Sequence, residues 1–242
     1  MLETMVDRED WDLGSLAEEI DIPKATVMRM LLTLKSMGYV DQVEIGKRYY
    51  VTTRLFDIGS RAVRNIDVFK LSRPIMEDLL NQCDETVYLS VLSGIDVIVI
   101  SKILSRHYLK VDSYVGDRVR SYHASGGKAL LAVLTPEERL RLFSGHTFEQ
   151  MTEKSIASIA QLEAEMKKAN AKGYALADEE RFKDIRSVGV AVFNHRNEPI
   201  AALSAVAPKV RLKMADIPAF AGKVVAAGNE ISRKMGASRF IG

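Results

Sequence analysis

A Ser-Gly-Gly-Lys run at residues 125–128 is the first place in this 242-residue sequence where residue types and spacing suggest chemistry. Two glycines beside a serine leave backbone N–H groups accessible. If they open a helix, those donors carry partial positive charge that suits an anion. Two enzymatic readings of the run fail. A phosphate-binding loop needs glycine five positions before Gly127 and Ser or Thr after Lys128, where Tyr122 and Ala129 stand. A nucleophile elbow needs glycine two before Ser125, the place of His123. A small-molecule hydrolase working through Ser125 and His123 is kept only as the alternative to a binding role. His107, His123, His146 and His195 form no ligand pair at helical spacing, and Cys83 is the lone cysteine. No catalytic residue, metal or cofactor is therefore expected.

The other chemically suggestive feature is charge. The whole chain is nearly balanced at +2, but residues 1–21 hold eight acids against one base and residues 22–64 hold eight bases against three acids. A basic block inside a near-neutral chain is the footprint expected of a polyanion partner. No apolar run approaches the ~20 residues that span a bilayer, so no membrane partner is expected. The amino-terminal MLETMVDRED lacks the basic and apolar pattern of a signal peptide. With one cysteine and 47% hydrophobic residues, the chain reads as a soluble cytoplasmic protein with material for a sizeable core.

Elements that could position these groups follow from periodicity. Leu13, Leu16, Ala17 and Ile20 predict a short amphipathic helix. Pro23 belongs in the first turn of a second one, with Val27, Leu31 and Leu34 (and Met30) inward and Gly38 at its end. The leading turns of that second helix carry Lys24, Ala25, Thr26, Met28 and Arg29, as a recognition helix in the major groove requires. The period then changes to two. Residues 39–43 and 48–51 flank Glu44-Ile45-Gly46-Lys47, a hairpin whose Lys47 and Arg48 would reach phosphate. A helix over residues 53–66, apolar at Leu55, Ile58, Ala62 and Ile66, would link this winged helix-turn-helix (residues 1–52) to a second domain at 67–242. There, helix is predicted up to Gln82, then strands at 86–92, 96–103 and 108–115. Helices follow from 127, from Pro136 and over 162–171, then strands at 188–193 and 199–207 and a helix at 215–235. Antiparallel strands with segregated helices argue α+β.

These residues resemble a known family. Ile22-Pro23-Lys24-Ala25-Thr26-Val27-Met28-Arg29-Met30-Leu31 with Gly38-Tyr39-Val40 is similar to the recognition-helix signature of the IclR family of bacterial transcription regulators. Arg48-Tyr49-Tyr50-Val51-Thr52, Gly127-Lys128-Ala129-Leu130-Leu131-Ala132, Asp178-Glu179-Glu180, Ile185-Arg186-Ser187-Val188 and Ala201-Ala202-Leu203-Ser204 resemble its later blocks in the same order. The resemblance implies a GAF-like carboxy-terminal domain that binds a small effector, a double-stranded operator as partner, and a homodimer or dimer of dimers. It implies a repressor of a catabolic operon governed by a small organic acid or related polar metabolite. It carries the effector role to Ser125, Gly126, Asp178, Ser187 and Ser204. Members usually have a complete helix ahead of the helix-turn-helix, whereas this sequence opens at Met1-Leu2-Glu3, partway along it. Ser187 stands where many members have cysteine, Val206 where a second serine is frequent, and Ala177 where an acidic residue is common.

Overall fold

The computed structural model describes residues 1–43, 47–64 and 67–240. They separate into two compact units, residues 1–65 and 66–242. In the first, α1 (Leu2–Met5), α2 (Leu13–Glu19) and α3 (Lys24–Ser36) are followed by β1 (Val40–Gln42), β2 (Tyr49–Val51) and α4 (Arg54–Arg64). Asp12 caps α2 by accepting from the Ser15 N–H at 3.0 Å; the Ser15 hydroxyl, donating to it at 2.6 Å, and that N–H together hold its carboxyl down to about pKa 2. Pro23 stands at the N-cap of α3 rather than inside its first turn. Gly38 follows the C-cap at φ +76, a left-handed conformation that a side chain would strain. The chain can then turn back so that β1 and β2 pair antiparallel, Val40 opposite Val51. Trp11 adds a one-residue bridge to Tyr49.

The core of this unit is Met5, Trp11, Leu16, Val27, Leu31, Val40 and Tyr49. One expectation needs correction here. Met30 is exposed, because one residue short of Leu31 is 100° round the helix from the buried face. Hairpin residues Glu44, Ile45 and Gly46 and linker residue Ile66 lie outside the described residues.

The second unit holds α5 (Asp67–Cys83), β3 (Thr86–Ser93), β4 (Asp96–Ile103), β5 (Arg118–Arg120), α6 (Ser125–Ala132), α7 (Pro136–Leu142), α8 (Ile159–Lys172), β6 (Ala175–Asp178), β7 (Ile185–Phe193), β8 (Pro199–Pro208) and α9 (Ile217–Lys234). The strands form one six-stranded sheet in the order β5-β4-β3-β8-β7-β6. Every neighbouring pair is antiparallel. Helices α5 and α9 pack together and contact β3 and β7, while α6 contacts β7, β8 and β3 along with α8. Gly228 of α9 leaves room for Val190, and Ser90 and Ala202 lie under Gly126 of α6, so the two groups of helices cover opposite faces of the sheet. Thr135 caps α7 in a reciprocal capping box with Glu138.

The strand predicted over 108–115 is absent. Its backbone is held by side chains instead: the Tyr88 hydroxyl donates to Val111 O at 3.0 Å and accepts from Ser113 N–H at 2.8 Å. The sheet edge is taken by β5 a few residues later. Strand β6 has no sequence signal, since Ala175-Leu176-Ala177-Asp178 contains no β-branched residue. No helix among the described residues is long and apolar enough to cross a membrane.

Candidate functional site

Two sites emerge, one in each unit. On α3, Val27 and Leu31 are fully buried, which fixes the rotation of the helix and turns Lys24, Ala25 and Arg29 to solvent. Thr26 and Met28 are half-buried. The Met28 sulfur accepts from the Tyr49 hydroxyl at 3.6 Å, so this residue joins helix to wing more than it faces outward. Arg29 makes no ion pair among the described residues and is free to reach a base edge. Lys47 and Arg48 are both exposed beside β2. They differ in company. Arg48 donates to Asp10 Oδ1 at 2.5 Å, whereas the Lys47 side chain has no partner among the described residues.

The second site is a cavity of about 90 Å³ between α6 and the sheet. Its apolar wall includes Val97, Val99, Val119 and Val206; Val111 and Ser113 close it from the segment between β4 and β5. Its polar wall contains Ser90, Ser125, Ser187 and Ser204 together with Gly126, His123 and Glu180. No hydroxyl of these four serines is bonded to protein among the described residues. Ser125 Oγ is fully buried in that state, as is Glu180 Oε2. Helix α6 begins at Ser125 with Ala124 as N-cap, two residues earlier than the periodicity indicates. The N–H groups of Ser125 and Gly126 thus fall in its first turn, where no helical carbonyl precedes them. Glycine is spatially required at 127, whereas at 126 it leaves space open to the cavity. A Cβ on Gly127 would lie 2.2 Å from Ser121 O, and one on Gly126 would project between Ser90 Oγ (3.0 Å) and Ser204 Oγ (3.6 Å).

Four of the five expected effector residues, Ser125, Gly126, Ser187 and Ser204, therefore line one cavity. Asp178 does not, and strand parity explains why. In the β6–β7 register Ala177 lies opposite Ser187 and Asp178 opposite Arg186, so the cavity-facing pair is followed by a pair on the other face. There Asp178 accepts from Arg186 Nε at 2.6 Å and Lys154 Nζ at 2.8 Å. Burial acts to raise its pKa, but these two cations carry it below the usual carboxylate range. Its neighbour Glu179, held by Lys154 and Lys209, falls to about 2.

Sequence reasoning missed Glu180 and Ser90. Glu180 Oε1 accepts from Lys128 Nζ at 2.7 Å; that ammonium also donates to Leu176 O at 2.6 Å and to Glu165 at 3.2 Å. Burial pushes the Glu180 carboxyl up against the pull of Lys128. No local pattern announces it, since three acids in a row read as a solvated loop. His123 donates from Nε2 to Glu149 O at 2.9 Å if neutral, the form favoured because burial lowers its pKa below 6.5. That bond spends the nitrogen, and Ser125 Oγ has no base as partner, so the nucleophile–base pair of the hydrolase alternative is not assembled. No group of three or more metal-binding side chains occurs among the described residues.

Both units match family models: the "IclR helix-turn-helix domain" over residues 6–44 and "Bacterial transcriptional regulator IclR C-terminal" over residues 60–233. The HTH-type transcriptional regulator KdgR of Escherichia coli is 29% identical over 236 residues, covering 98% of this chain and 90% of its own length. The transcriptional repressor IclR of the same organism is 26% identical over 230 residues, 94% of this chain and 84% of its own. The crystal structure of Thermotoga maritima IclR superimposes with a TM-score of 0.74 at 24% identity over 98% of this chain and 96% of that one. A helix-turn-helix with an outward basic face, a separate domain with a polar cavity, and these matches across nearly the whole length lead to one conclusion: the chain belongs to the IclR family and is a DNA-binding transcription regulator.

Proposed function

We propose that this regulator is a repressor of a catabolic operon, and that a small hydroxylated organic acid in the α6 cavity controls its grip on operator DNA. The observation that carries this reading is the convergence of four unbonded serine hydroxyls and a helix N-terminus on one cavity. A volume near 90 Å³ suits a small metabolite and falls well below the ~300 Å³ at which drug-sized pockets begin. The effector carboxylate accepts from the Ser125 and Gly126 N–H groups, and its hydroxyls meet Ser187 and Ser204. Asp178 is left out because its carboxylate is already committed to Arg186 and Lys154. On the DNA side, Arg29 and Thr26 read bases while Lys24 and Lys47 hold phosphate. The work is done in the cytoplasm by a homodimer or dimer of dimers, since two half-sites need two recognition helices. Repression is supported by the relative IclR of Escherichia coli, a transcriptional repressor.

A thermal-shift screen of the full chain against hydroxy acids, keto acids, semialdehydes and sugar acids tests the effector reading, because a ligand bound to the native state raises its stability. A hit should also change affinity for a promoter fragment. Ser187→Ala or Ser204→Ala should weaken that hit by about 1–3 kcal/mol, the cost of an unpaired buried partner. Stabilisation by apolar compounds alone, or hits unaffected by both substitutions, would defeat the reading.

A further inference from the structure

Glu180 is a buried carboxylate with a divided environment. One oxygen is held at 2.7 Å by the Lys128 ammonium, itself only 1% exposed; the other, Oε2, has no partner and belongs to a residue in the cavity wall. A buried acceptor without a donor is costly, and the cost is recovered only when something in the cavity donates to it. The serines nearby do not do so in this structure. A ligand hydroxyl that reaches Oε2 would supply the donor.

We infer that Glu180 is a specificity-determining contact that makes the cavity select a 2-hydroxy acid over the matching 2-keto acid. This rests on the effector reading above. The chemistry separates the two ligands sharply: a hydroxyl donates to Oε2, whereas a ketone offers only lone pairs to a carboxylate and leaves both acceptors unsatisfied. The same carboxylate repels a second acid group, which disfavours diacids. An ammonium would also donate, but Lys128 already places a cation on Glu180, so a neutral hydroxyl is the better match. The carboxylate of the ligand meanwhile sits at the opposite kind of charge, the first turn of α6. The cavity wall thus combines the helix amides of Ser125 and Gly126, the carboxylate acceptor of Glu180, serine hydroxyls able to play either part and the guanidinium of Arg181.

The test is calorimetric titration of the full chain with two matched three-carbon pairs: lactate against pyruvate, and glycerate against hydroxypyruvate. The hydroxy acid of each pair should bind about tenfold or more tightly, the factor expected when an acceptor gains or lacks its donor. Glu180→Gln keeps the shape but puts an N–H₂ donor at the end of the side chain. It should erase or invert the preference toward the keto acid, an outcome that loss of structure does not produce. If Glu180→Gln fails to fold, the wild-type ratios still decide. Equal or tighter binding of the keto acids, or tighter binding of L-alanine than of lactate, overturns the assignment. Gly126→Ala separates the two levels of argument. Ligands that bind wild type, are blocked by Gly126→Ala and keep their hydroxy preference in Glu180→Gln overturn the role of Glu180 alone. Failure of all four acids to bind overturns the effector reading with it.

Discussion

Gly126 and Gly127 are adjacent in one helical turn, yet alanine at each should do opposite things. At 127 the new methyl meets backbone, the Ser121 carbonyl at 2.2 Å, and nothing flexible can yield. Gly127→Ala should therefore lower Tm markedly, as overpacking costs of about 1–3 kcal/mol do. At 126 the methyl enters the cavity between two serine hydroxyls that can turn away, and alanine is the better helix former by nearly ~1 kcal/mol. Gly126→Ala should keep or raise Tm while abolishing the effector's thermal shift. Scanning calorimetry of both variants, with and without ligand, checks the pair; equal Tm values in the two would refute it. Glu179 offers a pH test at the same scale. Its carboxyl titrates near 4.5 in an unfolded chain and about 2 when folded, so it favours the native state above pH 4.5 and progressively loses that contribution as pH falls toward 2. Glu179→Gln should flatten the decline of Tm across that window, and an unchanged slope would show the Lys154 and Lys209 contacts to be idle.

At the scale of elements, the proposed division of DNA recognition between α3 and the wing should separate in the data. Arg29 projects from the second turn of α3 without an ion pair. Arg29→Ala should weaken operator binding by about 1–3 kcal/mol and relax preference at one base pair. Lys47→Ala should weaken specific and random DNA alike and reduce the salt dependence by about one unit of slope. Arg48→Ala should do less than Lys47→Ala, because its guanidinium is already engaged with Asp10. Anisotropy titrations at several salt concentrations read all three, and an Arg48 effect equal to that of Lys47 would place Arg48 on phosphate after all.

For the whole molecule the question is how many chains act together. Phe56 on α4 is 77% exposed beside half-buried Leu55 and Ile58, an apolar surface on the segment that leads from the DNA-binding unit. Two half-sites one helical turn apart, near 34–36 Å, require two such units held at that spacing. Sedimentation at micromolar concentration should find a dimer or a tetramer, and Phe56→Asp should shift it toward monomer and depress operator affinity. A monomer in the wild type, with or without operator, would refute the assembly.

Much of this was legible in sequence because it depends on short-range rules. The Pro23 and Gly38 punctuation, the Val27 and Leu31 stripe, the Thr135 cap and the strand-like apolar runs of β3, β4, β7 and β8 each fix a local conformation within a few residues. The run at 125–128 announced a helix front with free amides by the same logic. What the sequence could not supply was parity and convergence. Asp178 and Ser187 read alike in sequence as polar candidates for the ligand, but pairing of Ala177 with Ser187 sends Ser187 into the cavity and Asp178 to Arg186. Register between strands is a long-range quantity, and a shift of one residue exchanges the two faces. The same holds for Glu180: its acidity is written in the sequence, but its burial, its bond to Lys128 across 52 residues and its unpaired oxygen arise only when α6 is laid across the sheet. Local energetics chose the elements; the packing of distant segments decided which side chains face the cavity.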